Sequence, residues 1–285
     1  MKKTKTKTTK ELDSTKLINQ MIKWSIECGE ILNSYLISSY KTPLKFIDKG
    51  RHGLATEADV VSEAHIISQI KKKFPSHQIL SEEDAFARQL KIEGAKEDEY
   101  LWLIDPLDGT NNFYNRVPFF AVSLALMKGD KAIAGVVYNP VNFELFYATR
   151  GGGAHLVRSI SGKKIKIKLK ASKKKKNFNE ALLSANLTKR GVKKNLLKSF
   201  PEVRAMRRLG SAALEMSYVA AGMLDAYWEY KLKPWDMAAA GLICEEAGVK
   251  ISDIKGDKYN PFCESVLVAN PTLYTSLQEI LGASK

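Results

Sequence analysis

The segment LWLIDPLDGTNNF, residues 101–113, is the densest chemical signal in the chain. Its apolar opening, Leu101 to Ile104, reads as a buried strand that delivers Asp105 at its end, where the chain leaves the sheet. Pro106 sets a turn that folds Asp108 back beside Asp105, and Gly109 lets the backbone approach a ligand closely. Two carboxylates three residues apart in such a turn repel each other unless a proton or a cation joins them. Hard oxygen donors favour Mg2+, which keeps its waters and takes few carboxylates. Taken alone, DPLDGT is equally a plain turn capped by Asp and Gly.

Upstream, Leu17, Met21, Trp24, Cys28, Ile31 and Leu32 recur at helical spacing, predicting a helix from Leu12 to about Leu36 with Asp13 or Ser14 as its cap. A polar loop follows through Lys45, Asp48, Lys49 and Gly50 to Gly53. A second helix is predicted from Asp59 to Phe74, stopped by Pro75. Gln78 to Leu80 reads as a short strand ending on Ser81-Glu82-Glu83-Asp84, and residues 85–99 are polar without a clear period. Downstream, residues 117–140 read as a hairpin turning at Gly129-Asp130, and residues 142–155 continue the sheet. The second half alternates: a strand in 181–186, a helix in 187–200, a helix in 210–225, a strand in 226–230, a helix in 235–249 closed by Gly248, a strand in 265–270 and a helix from Pro271 to Leu281. Two halves, 1–150 and 151–285, are expected to pack as layers.

Two other acidic pieces accompany the central segment. Glu82-Glu83 ends its own short strand and in isolation is an ordinary exposed pair. Trp235-Asp236 opens an alanine-rich helix, where Asp is usually a cap. Together, in this order, the strings SEED (81–84), WLIDPLDGTNNF (102–113) and WDMAAAGLICEEAG (235–248) resemble the inositol monophosphatase family. The resemblance extends to TEADVVSE (56–63), GVVYNP (135–140) and RRLGSAALEM (207–216), and so covers nearly the whole chain, about residues 12–280.

The resemblance implies an α+β fold of the layered αβαβα sandwich type, as in inositol monophosphatase and fructose-1,6-bisphosphatase. The first half would carry most metal ligands and the second the substrate wall and Asp236. It implies a Mg2+-dependent phosphomonoesterase holding two or three ions. Glu82, Asp105 and the Leu107 carbonyl would hold one; Asp105, Asp108 and Asp236 a second; a third, weaker one would sit near Glu82 through waters. Thr110 and Glu82 would orient and deprotonate the attacking water, with Asp59 supporting that network. The amides of Gly109 and Thr110 would cradle the phosphate. Substrate hydroxyls would meet Gly210, Ser211, Ala212, Glu229 and Asp236. Lys49 resembles, loosely, a family lysine near the weak third metal. Inositol monophosphate or a similar small polyol phosphate is the implied substrate, and a homodimer and lithium sensitivity are implied too. Fructose-1,6-bisphosphatase, 3′-phosphoadenosine-5′-phosphate phosphatase, histidinol-phosphate phosphatase and NADP phosphatase share the metal core. The moderate length between Glu83 and Asp105 tilts the reading towards polyols. Ser81 stands where the family usually has Gly, and Val249 where it often has Gly. Lys233-Pro234 before Trp235 is a pattern of bacterial members. These departures bear on substrate preference more than on catalysis.

Composition bounds the alternatives. The chain has 285 residues, 45% hydrophobic and 27% charged, as an ordinary globular protein has. Its formal net charge of +14 invites a nucleic-acid reading. Five lysines in residues 1–10 and nine in residues 163–176, with no acid in either, account for the whole excess. In KKIKIKLK (163–170) lysines alternate with Ile165, Ile167 and Leu169, predicting a strand with one buried and one wet face, followed by an exposed loop at Lys173 to Lys176. Neither cluster contains the aromatic residues that stack on bases, so a solvated face is favoured over binding of RNA or an acidic partner. Three cysteines, Cys28, Cys244 and Cys263, form no disulfide or zinc pattern and read as reduced core thiols. The basic leader lacks the apolar centre of a signal peptide, and no run is long enough to span a membrane, so a reducing cytoplasm is the expected location. There is no phosphate-binding GxxxxGK[ST] loop, no HExxH and no GxSxG. Gly151 to Gly153 do not extend to GxGxxG, and His52, His65, His77 and His155 are scattered.

Overall fold

Leu17, Met21, Trp24, Cys28 and Leu32 fall on one buried face of α1 (Ser14–Ser39), whose cap Asp13 accepts from the amides of Thr15 and Lys16. This is a computed structural model, and it describes residues 12–50, 54–172, 177–185 and 203–282. Beside α1 lies α2 (Glu57–Lys73), which starts two residues earlier than its periodicity predicts. Asp59 reaches back to the amide of Thr56 and caps the helix, and Pro75 follows its end. The polar loop between these helices is partly ordered as a two-stranded ribbon, β1 (Phe46–Asp48) paired with β2 (Leu54–Thr56).

The two helices cover one face of a seven-stranded sheet whose spatial order follows the chain: β3 (Gln78–Ser81), β4 (Tyr100–Asp108), β5 (Ala121–Lys128), β6 (Lys131–Asn139), β7 (Glu144–Thr149), β8 (Gly153–Ile160) and β9 (Lys163–Lys168). Only β3–β4 is parallel; the other pairs are antiparallel. β4, β5 and β6 are apolar on both faces because both faces are covered. Trp102, Ile104, Val122, Leu124 and Leu126 pack towards α1 and α2. Leu101, Leu103, Ala121, Ala125 and Met127 face a middle layer made by α5 (Ala212–Ala220) and α6 (Pro234–Ala247).

Beyond that layer lies a five-stranded sheet containing β10 (Leu182–Ala185), β11 (Ala205–Arg207), β12 (Ala226–Tyr230), β13 (Lys250–Ser252) and β14 (Ser265–Ala269), in the order β11-β10-β12-β14-β13. Its outer face is covered by α7 (Tyr274–Gly282). The layers are therefore α, β, α, β, α, the α+β sandwich implied by the sequence resemblance. Ala238, Ala239 and Ala240 are fully buried in α6, small enough to let that helix lie between two sheets.

Three local expectations change. The chain does not leave the sheet at Asp105: β4 runs through Pro106 to Asp108. Glu82 to Asp84, read as the end of the short strand, and the first residues of the stretch 85–99, read as lacking a period, together form a short helix, α3 (Glu82–Arg88), with three acids in its first turn and Gln89 left-handed at its end. The lysine-faced strand exists as β9, the edge of the large sheet, but its apolar face is not buried: Ile167 is 41% exposed and only Leu169, just beyond it, is buried. The end of the β8–β9 hairpin, Ser159 to Lys164, is exposed on both strands and lies beyond the reach of the helices. The large sheet also crosses residue 150, since β8 and β9 belong to it. The leader 1–10, the loop at Lys173 to Lys176 and the helix predicted in 187–200 lie outside the described residues.

Candidate active site

The carboxylates meet because of an irregularity in β4. Asp105 pairs with Ser123 and Asp108 with Ala121, so three steps on β4 match two on β5. A regular strand would send residues three apart to opposite faces. The extra residue restores Asp108 to the face of Asp105 and turns Leu107 into the α1–α2 core. Both aspartates therefore point into the middle layer. β3 runs parallel to β4 with Ser81 opposite Ile104, so Glu82 emerges next to Asp105 at the carboxyl ends of the two strands. Ser123 donates to the carbonyl of Trp235 at 2.9 Å, tying the first turn of α6, and with it Asp236, to the same place.

Glu82, Asp105, Leu107, Asp108, Gly109, Thr110, Gly210, Ala212, Glu229 and Asp236 all line one cavity of about 550 Å³. Of the other predicted site residues, Ser211 and Asp59 stand just behind its wall. Ser211 and the amide of Ala213 donate to Asp108 Oδ2 at 2.6 and 2.7 Å, so Asp108 caps α5. The Thr110 hydroxyl lies 3.1 Å from both Asp59 Oδ1 and the Leu107 carbonyl, while Asp59 Oδ2 accepts from the amide and hydroxyl of Thr56. Asp236 is not the cap of α6 but its third residue; it accepts from the amide of Lys233, which is the cap. The buried Tyr227 hydroxyl donates to Glu229. Gly109 and Gly210 are both left-handed, and a Cβ on Gly109 would stand 3.1 Å from the Gly210 carbonyl, so the two turns abut.

The electrostatics of the cavity follow from burial of like charges. Burial raises the Asp105 carboxyl well above the usual range, and Glu82, Asp108 and Asp236 push it further. Asp236 is raised by burial and then by Asp108 and Glu82. Burial lifts Asp108 to about 7 against its bonds to α5, and Asp59 to about 6 against its bonds to Thr56. Lys49 supplies the nearby cation. Burial opposes its charge, but Glu82 and Glu83, 3.0 and 2.5 Å from its ammonium, hold it protonated above the ordinary lysine value.

Several residues that build the site are not among those the sequence singled out, although they stand in its quoted strings. Glu63, on α2, accepts from the amides of Glu83 and Asp84 and so caps α3 and fixes Glu82 at its start. Glu215 gathers the amides of Leu209, Gly210 and Ser211 and the hydroxyl of Ser184. Asn112 bridges the carbonyls of Phe119 and Leu209 at 2.7 Å each, joining the two halves. Glu63 and Glu215 stand inside the strings TEADVVSE and RRLGSAALEM, which is the only hint of them in the sequence.

Among the described residues, no three Asp, Glu, His or Cys side chains stand close enough together to hold a metal ion as they are placed. Each acid is instead engaged by a protein donor: Glu82 by Lys49, Asp105 by the amide of Leu107, Asp108 by α5 and Asp236 by Lys233. The donor set nevertheless fits a hard divalent cation. It is all oxygen, it lines one cavity, and mutual repulsion disfavours its charged form without a counterion. Among the described residues all three cysteines are free; Cys28 and Cys244 are buried and Cys263 is half-buried. His77 is stacked between Phe74 and Tyr100 and accepts from Trp102, a core role. No helix of the described residues is long and apolar enough to cross a membrane.

The sequence description of the inositol monophosphatase family matches residues 13–284. The chain is similar to the chloroplastic phosphatase IMPL1 of Arabidopsis thaliana, 40% identical over 256 residues. That match spans 86% of this chain and 65% of the plant protein. It is 33% identical to the Nus factor SuhB of Escherichia coli K12 over 91% of this chain and 95% of that one. The solved structure of a Thermotoga maritima IMPase superposes with a TM-score of 0.79 at 28% identity, covering 94% of this chain and 97% of the other. With a family match over nearly its full length, the same layers and an oxygen-lined acidic cleft, the chain belongs to the inositol monophosphatase family and is a phosphoric monoester hydrolase.

Proposed function

We propose that the protein is a Mg2+-dependent phosphomonoesterase acting on inositol monophosphate or a similar small polyol phosphate. The observation that carries this reading is the convergence of Asp105, Asp108 and Asp236 with Glu82 on one cavity, where burial and the neighbouring carboxylates raise the proton affinity of Asp105 and Asp236. Glu82, Asp105 and the Leu107 carbonyl would hold one ion, Asp105, Asp108 and Asp236 a second, with a third near Glu82 through waters. Bound Mg2+ supplies charge neutralisation of the phosphate and acidifies water. The remaining work belongs to the chain. Thr110 Oγ1 donates its proton to Asp59 Oδ1, which leaves its lone pairs to accept from, and orient, the attacking water. Glu82 removes the water proton. The amides of Gly109 and Thr110 cradle the phosphate, and Gly210, Ser211, Ala212, Glu229 and Asp236 bound the alcohol. A homodimer and inhibition by Li+ belong to the same reading.

Asp105→Asn removes a shared ligand and a buried charge at once. It is expected to lose Mg2+-dependent release of phosphate from inositol 1-phosphate by more than the roughly 10–100-fold cost of an outer partner of a metal site, with circular dichroism unchanged. Full activity in that variant would overturn the reading. A panel of phosphomonoesters tests the substrate: preference for fructose 1,6-bisphosphate or 3′-phosphoadenosine 5′-phosphate replaces the polyol assignment. A second, non-enzymatic reading is favoured by one observation, the lysine-faced edge β9, together with the similarity to proteins named Nus factor SuhB. In that reading the lysine clusters contact RNA or an acidic partner.

A further inference from the structure

Glu215, on α5, is buried, and among the described residues it forms no salt bridge. Three consecutive amides converge on it instead. Leu209 donates to Oε1 at 3.3 Å, and Gly210 and Ser211 donate to Oε2 at 3.0 and 3.3 Å. The Ser184 hydroxyl, on β10, donates to Oε1 as well. Successive amides that face one point form a nest for an anion. This nest runs on into the amino end of α5, where the amides of Ala212 and Ala213 turn to Asp108. Beside the cleft of a phosphatase, such a nest competes for the anion of the substrate. Two acids of the chain fill it.

Filling the nest fixes the polarity of the wall. Every amide from Leu209 to Ala213 is taken by Glu215 or Asp108, and Asp108 takes the Ser211 hydroxyl too. The Leu209 carbonyl accepts from Asn112. The Gly210 carbonyl is left over. Gly210 is exposed and lines the catalytic cavity, and among the described residues no donor reaches its carbonyl. A Cβ on Gly109 would stand 3.1 Å from it, so it lies beside the turn proposed to hold the phosphate. Glu229 and Asp236 line the same cavity and, when charged, accept hydrogen bonds only. The turn and the two carboxylates therefore accept and offer nothing. The donors on this side, Arg208 and Lys231, are long, exposed side chains.

We propose that Glu215 is a positioning residue for substrate selection: by holding the amides of Leu209 to Ser211, it keeps the Gly210 carbonyl fixed as an acceptor for a hydroxyl of the substrate alcohol. The inference rests on the phosphatase reading above and assigns one determinant of its preference for polyols. Glu215 acts through the turn and touches neither substrate nor metal. Gly210, at φ +85°, has the backbone freedom to swing its peptide groups once released. A released turn would show an amide or a carbonyl in exchange, and the hydroxyl would lose a fixed partner. The role needs both carboxylate oxygens. Gln would offer one oxygen and set its own N–H groups against the amides.

Inositol 1-phosphate and cyclohexyl phosphate share a ring and a phosphate and differ in the hydroxyls. The kcat/KM of each is measured with Mg2+ for the intact wild type, Glu215→Gln and Ser184→Ala. Calorimetric binding of the pair and melting temperatures are measured alongside. The wild type is expected to prefer inositol 1-phosphate by about tenfold or more, since a site built to bond a hydroxyl rejects its absence. Glu215→Gln is expected to lose about fivefold or more of that preference. Ser184→Ala removes only one bond to Glu215 and should lose a smaller part in the same sense; it carries the test should Glu215→Gln not fold. A merely structural Glu215 would slow both compounds alike. Parallel loss, or a preference kept by every folded variant, overturns the proposal, as do equal constants in the wild type. A Glu215-dependent preference in binding without turnover of either compound overturns the phosphatase reading and leaves the positioning role standing. Turnover of both, with a preference neither variant changes, does the reverse.

Discussion

At the scale of single residues, the site is a group of acids whose surroundings decide their protonation. Glu63 is the clearest case. It is buried, it accepts from the amides of Glu83 and Asp84 on α3, and burial pushes its carboxyl up to about 7. The folded chain therefore keeps this proton to a higher pH than the unfolded one, and stability falls as pH rises from the unfolded value of 4.5 towards 7. Asp59 and Glu83 are displaced in the same sense, so the total slope is shared. Glu63→Gln should remove its own portion, at most about 1.4 kcal/mol per pH unit for one proton. Urea midpoints of wild type and variant at pH 5 and pH 8 check it; a difference that does not change with pH would show that Glu63 is not the titrating group. Glu82, Asp105, Asp108 and Asp236 are legible in the sequence because they lie in strings of fixed residue type. Glu63 stands in such a string too, but its role is not legible there, because its partner is an amide twenty residues away on another element.

At the scale of elements, the junction from β4 to α4 (Thr110–Tyr114) does most of the placing. An apolar run that ends in Asp-Pro reads as a strand that stops. In the fold it continues, because Pro106 sits at the register shift, where the missing donor matters least. Gly109 closes the junction at φ +99°, with carbonyls of Gly210 and Phe119 where a Cβ would go. Gly109→Ala is expected to cost roughly 1–3 kcal/mol and to lower kcat/KM by displacing Asp108 and Thr110. Thermal unfolding and steady-state kinetics on one preparation measure both, and a variant of unchanged stability and activity refutes this account of the junction. The short α3 escaped a periodicity reading for a related reason. Seven acid-rich residues carry too few apolar positions to set a period, and the helix is held by the cap from Glu63 rather than by its own propensity.

At the scale of the whole molecule, layers were legible in the residues, their order in the family resemblance, and the charge only once its lysine clusters were set apart. The alternation of strands and helices implies layers; their αβαβα order was implied by the resemblance, and the three apolar clusters of the fold bear it out. The net charge of +14 suggests a basic protein, but its cleft is acidic and its lysines are concentrated at the leader and along the edge of the large sheet. Removing residues 1–10 and replacing Lys173 to Lys176 by Gln should leave phosphatase activity within about twofold, since neither segment contributes a proposed site residue and salt screens electrostatic steering. A salt-sensitive RNA complex that is lost on the same change would favour the non-enzymatic reading. The cap that Asp108 places on α5 has a consequence on a longer timescale. This carboxylate belongs to the first half and holds a helix of the second through its Oδ2, and in the proposed function the same side chain is a metal ligand, so it would serve both assembly and chemistry. A lineage cannot drift at this position through a stable but idle ancestor, because the change that silences the enzyme also loosens the joint. Inheritance of the fold and inheritance of the activity are locked together there.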